Sequence, residues 1–107
     1  MPYWDTLSAG VRGNFIHAWG FGDSDTAGEY AKNNITLDGI ISQIECPFLI
    51  THSDLDHNYP SSYATRMKEE AKCECELVIY KEGVHMADNI RYKYQPYVAD
   101  WLASKLK

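Results

Sequence analysis

The sequence predicts an α/β fold: a parallel strand–helix–strand–helix unit with a helical segment ahead of it. Three observations carry this. Residues 48–52 and 75–80 are short apolar runs of strand length. A stretch with helical spacing of Tyr63, Met67 and Ala71 separates them, and a second with Val98, Trp101, Leu102 and Leu106 follows. Such an alternation folds as a right-handed crossover between parallel strands.

In chain order, residues 1–33 are the least regular. They hold two of the three Trp and no clean period. His17 with Phe15, Trp19 and Phe21 reads as internal packing of this segment. Residues 20–25 read as a loop, and a short helix over 25–32 follows, capped by Ser24 and ended by Asn33 and Asn34. Thr36 is expected to cap a second helix over 37–43, with Leu37, Ile40, Ile41 and Ile44 on one stripe, until Pro47 stops it. The run 48–52 lacks strict alternation, so both of its faces are expected to be buried. Residues 53–60 are turn-rich. Ser61 or Ser62 caps a helix reaching Lys72, residues 75–80 form the second strand, and 84–89 form a loop. The last helix runs to Leu106, with Trp101 in the core and Pro96 marking its first turn or a kink.

Composition narrows the function classes. At 107 residues the chain is one domain at most. Lys and Arg number 10 against 15 Asp and Glu, and a net charge of −5 argues against nucleic acid as a partner. No apolar run is long enough to span a membrane. Residues 1–20 lack the basic start and apolar block of a secretory leader. Three cysteines, Cys46, Cys73 and Cys75, do not make a disulfide framework. A cytoplasmic protein with reduced thiols is the expectation.

The chemistry-bearing residues cluster at the carboxyl ends of the two strands, where parallel sheets place ligands. His52, Ser53, Asp54, Asp56 and His57 follow the first strand; Gly83, His85, Asp88 and Asn89 follow the second. Strand ends that are neighbours in a sheet lie about 5 Å apart. Asp56 can therefore accept from one ring nitrogen of His85 and leave the other free as a base.

These residues resemble a known family. Thr36-Leu-Asp-Gly-Ile-Ile, Ile44-Glu-Cys-Pro-Phe-Leu-Ile, His52-Ser-x-x-Asp56-x-x-x-Pro60, Gly83-x-His85 and Ala99-Asp-Trp-Leu look like the C-terminal end of an α/β-hydrolase. The similarity is to the branch holding 2,6-dihydropseudooxynicotine hydrolase, bacterial fermentation–respiration switch esterases and fungal hydrolases that shorten polyketide pigment precursors. It implies an α/β-hydrolase C-terminal domain over 35–107 and part of a helical insert or cap over 1–34. It makes Asp56 the triad acid and His85 the triad base, in hydrolysis of an ester or of a C–C bond next to a carbonyl. The substrate would be a small carbonyl compound, with no cofactor and no metal. Two features depart from the pattern. Ser53 stands where the family usually has Gly, and no G-x-S-x-G nucleophile elbow occurs. Ser8 and Ser24, the serines of residues 1–34, do not follow an apolar strand, and neither has Gly on both flanks at the required spacing. The nucleophile is thus expected upstream of Met1, and the chain alone is expected to be inactive, marginally stable and prone to pair through an uncovered strand edge.

Two other readings compete. Residues 51–57 are similar to the T-H-x-H-x-D-H loop of metallo-β-lactamase-like zinc hydrolases, with His52, Asp54, Asp56 and His57 as ligands. Asp54 stands where that pattern has its second His. The other is a non-catalytic interaction module or pseudoenzyme, which the acidic surface and eight Tyr permit.

Overall fold

The computed structural model describes residues 4–106; Lys107 and residues 1–3 of the expected insert lie outside the described residues. The chain divides into two compact units between Asp38 and Gly39.

Among its described residues the first unit holds a 3-10 turn and two helices, beyond the single short helix expected. A 3-10 turn, Trp4–Thr6, is followed by helix α1, Ala9–Trp19. The sequence carried no apolar stripe for α1, and indeed none of its residues is buried. Its ends define it instead. The Ser8 hydroxyl accepts from Val11 N–H (3.3 Å), and Gly20 takes the left-handed conformation (φ 73°) that closes the last turn. Helix α2, Ser24–Asn34, is capped one residue earlier than expected. The Asp23 carboxylate accepts from Thr26 N–H (2.8 Å) and Thr26 Oγ1 (3.0 Å), so Ser24 is the first helical residue and not the cap. Its buried face is Ala27, Gly28 and Ala31. Trp4 lies against Gly28, where a Cβ would come within 2.5 Å of the indole. Phe15 stacks on Trp19 and Phe21, with Tyr30 against both of these rings. His17 stays exposed, outside this packing.

The helix expected over 37–43 is not formed. Thr36 Oγ1 accepts from Asp38 N–H (3.1 Å), a local turn in place of a helix cap. Gly39 adopts φ 77°, which no right-handed helix accommodates. Only the 3-10 turn Ile41–Gln43 remains. Of the expected stripe Ile41 alone is buried, while Leu37 and Ile40 are exposed.

In the second unit, strand β1, Phe48–Ser53, pairs in parallel with β2, Cys75–Tyr80, in the register Phe48↔Cys75 to Ser53↔Tyr80. β2 falls on the residues expected, and β1 runs one residue further. Its faces are not both covered: Ile50 and Ser53 are buried, whereas Thr51 is exposed. Among the described residues the sheet has two strands, which leaves each with an unpaired edge. Helix α3, Ser62–Glu70, makes the crossover and ends two residues short of the expected Lys72. Ala64 is its buried residue, with Tyr63, Met67 and Ala71 half-buried, and Lys68 Nζ donates to the Cys75 carbonyl.

The expected loop over 84–89 is a 3-10 segment, His85–Ile90, bent by Met86 (φ 58°) and Ala87 (φ 53°). It leads into helix α4, Arg91–Lys105. Pro96 sits in the second turn of α4, not the first, and its missing N–H leaves the Tyr92 carbonyl without an i+4 donor. α4 runs beside β2: Tyr97 Oη donates to Glu76 and Lys105 pairs with Glu74. Its inner contact is Tyr94, which packs with Val78 against Tyr80, Ala87 and Ile90. The expected stripe is displaced: Trp101 is half-buried and Leu102 is exposed. Cys46, Cys73 and Cys75 are unbridged. No helix of the described residues is long and apolar enough to cross a membrane.

Candidate active site

The parallel register brings the two strand ends, Ser53 and Tyr80, side by side. Each then makes the same move. The Ser53 carbonyl accepts from Asp56 N–H (3.2 Å), and the Tyr80 carbonyl accepts from Gly83 N–H (3.3 Å), so both strands end in a four-residue turn. Two backbone bonds stitch the turns together. Asp54 N–H donates to Tyr80 O (2.9 Å), and Leu55 N–H donates to Gly83 O (3.0 Å). The acid and base candidates emerge from these paired turns.

Asp56 and His85, 29 residues apart, meet here: His85 Nδ1 lies 2.8 Å from Asp56 Oδ2. The other carboxylate oxygen, Oδ1, accepts from Asn58 N–H (2.8 Å) and Tyr59 N–H (3.0 Å). The Asp56 side chain is only 4% exposed. Burial pushes its carboxyl up, but the bond to His85 and the two backbone N–H groups outweigh it and hold the group below the usual carboxylate range. Asp56 is thus a carboxylate with both oxygens committed. With the carboxylate as acceptor, Nδ1 is the donating nitrogen of this bond, and Nε2 takes no part in it.

His85 differs in exposure. Its side chain is 43% exposed, and Nε2 has no hydrogen-bond partner among the described residues. The ring of Tyr59 lies 5.8 Å from it. Both border a cleft of about 340 Å³, together with His52, Ser53, Tyr80 and Tyr94. Burial pushes the Tyr80 phenol up, so it is a neutral hydroxyl at physiological pH.

The remaining candidates separate. His52 turns its Nε2 to the Tyr59 carbonyl (3.0 Å) and braces the acid loop from the strand end. Asp54 and His57 are exposed. Among the described residues no three His, Cys, Asp or Glu side chains are grouped as a metal site requires, so His52, Asp54, Asp56 and His57 do not form the zinc ligand set of the rival reading. Asp88 pairs with Arg91 on the surface (2.8 Å), and Asn89 Oδ1 accepts from Val84 N–H (2.9 Å), which pins the chain just ahead of His85. Sequence reasoning missed the role of Asn89, whose bond runs five residues back to Val84, beyond the span of a local Asx turn.

No protein-family model and no curated protein matches the chain. One solved structure does, described as the crystal structure of the 2,6-dihydroxy-pseudo-oxynicotine hydrolase. It aligns over 99% of this chain and 30% of its own, with a TM-score of 0.89 and 24% identity. The chain therefore has the fold of the C-terminal part of an α/β-hydrolase and spans under a third of the length of the hydrolase it matches.

Proposed function

We propose that the chain carries the acid and base of a serine-type α/β-hydrolase, with Asp56 orienting His85. The observation that supports this above all is the 2.8 Å bond between Asp56 Oδ2 and His85 Nδ1 at the carboxyl ends of adjacent parallel strands. The free Nε2 beside a cleft is the position a base needs. In this reading a serine outside these 107 residues supplies the nucleophile, because no serine of the chain sits in a G-x-S-x-G elbow.

His85 Nε2 takes the serine hydroxyl proton as the oxygen attacks a carbonyl carbon. The ring becomes an imidazolium, which the Asp56 carboxylate stabilises. His85 then gives that proton to the leaving alkoxide or carbanion, and the acyl-enzyme forms. A water molecule then loses a proton to Nε2 as its oxygen attacks the acyl carbon; the bond to the serine oxygen breaks, His85 returns the proton to that oxygen, and the acid leaves. The substrate is a small ester or a ketone with a cleavable C–C bond next to its carbonyl. A cytoplasmic setting accords with the unbridged thiols.

A fluorophosphonate probe, which labels activated serines, tests this reading. The gene product isolated from its source cells should be heavier than 12.2 kDa and take up the probe, and His85→Ala should abolish labelling. The 107-residue chain alone should not label. Labelling of the isolated chain, or labelling of the native product that survives His85→Ala, would sink the assignment.

A further inference from the structure

Besides their backbone bonds and the contacts of His85, the two loops that carry Asp56 and His85 meet where Ser53 faces Gly83. Ser53, 3% exposed, ends β1, and Gly83 closes the turn after β2. A Cβ added at Gly83 would stand 2.5 Å from Ser53 Oγ and 2.9 Å from Ser53 Cβ. Both separations are shorter than van der Waals contact, so any side chain at 83 forces the turns apart. The backbone of Gly83 lies outside the left-handed region that demands glycine. Glycine is therefore required here by contact, not by conformation.

The Gly83 carbonyl accepts from Leu55 N–H (3.0 Å), one residue before Asp56, and Gly83 lies two residues before His85. A displacement at this point thus reaches both ends of the 2.8 Å Asp56–His85 bond. A hydrogen bond of that length weakens steeply once stretched or tilted.

We propose that Ser53 and Gly83 are a matched pair of positioning residues: the hydroxymethyl group at 53 fills the space left by the missing side chain at 83, and together they set the separation of the acid and base loops. Neither touches the reacting atoms. The inference rests on the reading of Asp56 and His85 as acid and base, and it is tested on their geometry and not on turnover.

The measurement is the titration of the Asp56 side-chain carboxyl in the full chain, followed by carbon NMR. Tyr97, whose phenol is held high by its bond to Glu76 within the same unit, serves as an internal control for folding. Gly83→Ala should shift the Asp56 midpoint upward and leave Tyr97 in place. The double variant Ser53→Gly with Gly83→Ala removes the opposing atoms and should return Asp56 to its original midpoint. An unmoved Asp56 in Gly83→Ala overturns the pairing, and so does a double variant that stays shifted. Should Gly83→Ala unfold its unit, the Tyr97 midpoint falls as that of Asp56 rises, and the double variant then decides alone: recovery of both midpoints supports the pairing, and failure to recover overturns it. If the titrations behave as expected while serine labelling of the native product ignores His85→Ala, the positioning contact stands and the catalytic reading falls.

Discussion

The acid loop and the base loop leave neighbouring strand ends through the same turn, yet they are built to opposite designs. The Asp56 loop is a cradle. Two backbone N–H groups and one imidazole hold the carboxylate, the His52 ring braces the Tyr59 carbonyl, and almost no solvent reaches the side chain. The His85 loop is an open perch. Its ring is nearly half exposed, and the two residues after it, Met86 and Ala87, both hold positive φ. Residues with a Cβ resist that conformation by roughly 1–2 kcal/mol each. On the proposed function this contrast is a division of labour: the orienting group is enclosed and fully bonded, and the group proposed to exchange protons keeps one nitrogen open.

Breaking the perch has the largest expected effect. On the proposed function His85→Ala in the full-length protein removes the base, and kcat should fall by about 10⁵- to 10⁶-fold, the scale seen when a triad base is lost. Removing the charge of the cradle comes next. Asp56→Asn keeps the shape but favours the wrong tautomer of His85, and a loss of about 10⁴-fold in kcat is expected. Steady-state assays on a chromogenic ester measure both, with circular dichroism confirming that each variant folds.

The cradle also leaves a pH signature. The folded Asp56 carboxyl lies below its ordinary value of 3.8, so its stabilising contribution is complete above that value and is lost as pH falls through the depressed one. Denaturant titrations from pH 6 down to 2 should show this loss in the native chain, and Asp56→Asn should flatten that part of the curve. A smaller effect is expected at the brace. His52→Phe deletes one hydrogen bond to Tyr59 and should cost about 1 kcal/mol of stability in the same titrations. The smallest change tests the boundary of the cradle. His57 sits in the same loop but is exposed, and His57→Ala should leave kcat/KM within about twofold, whereas a zinc-ligand role would make it as damaging as His85→Ala.

Much of this site was legible in the chain. Val, Ile, Leu and Tyr crowd into 75–80, and β2 falls on those residues because a short apolar run has few other folded options. Adjacent parallel strands then put their polar carboxyl ends together, which is why Asp56 and His85 could be paired across 29 residues. The misses share a cause. α1 has no buried face, so periodicity was silent, and only Ser8 and Gly20 at its ends mark it. The stripe over 37–43 had the right spacing, but Gly39 turned left-handed and the stripe never formed. α4 kept its helix while turning Leu102 outward, because Tyr94 and the pairs to Glu76 and Glu74 set its roll against β2.

The sequence by itself determined the order of elements, the parallel crossover and the two loops where the chemistry gathers, since apolar periodicity and turn residues act over a few positions at a time. It did not determine the tautomer of His85, the bonded state of both Asp56 oxygens, the left-handed Met86 and Ala87, or the contact between Ser53 and Gly83. Those depend on groups far apart in the chain meeting at ångström distances. Only the packed register of β1 against β2 brings them together, and hydrogen bonds and steric contacts fall off too steeply with distance to be read from spacing.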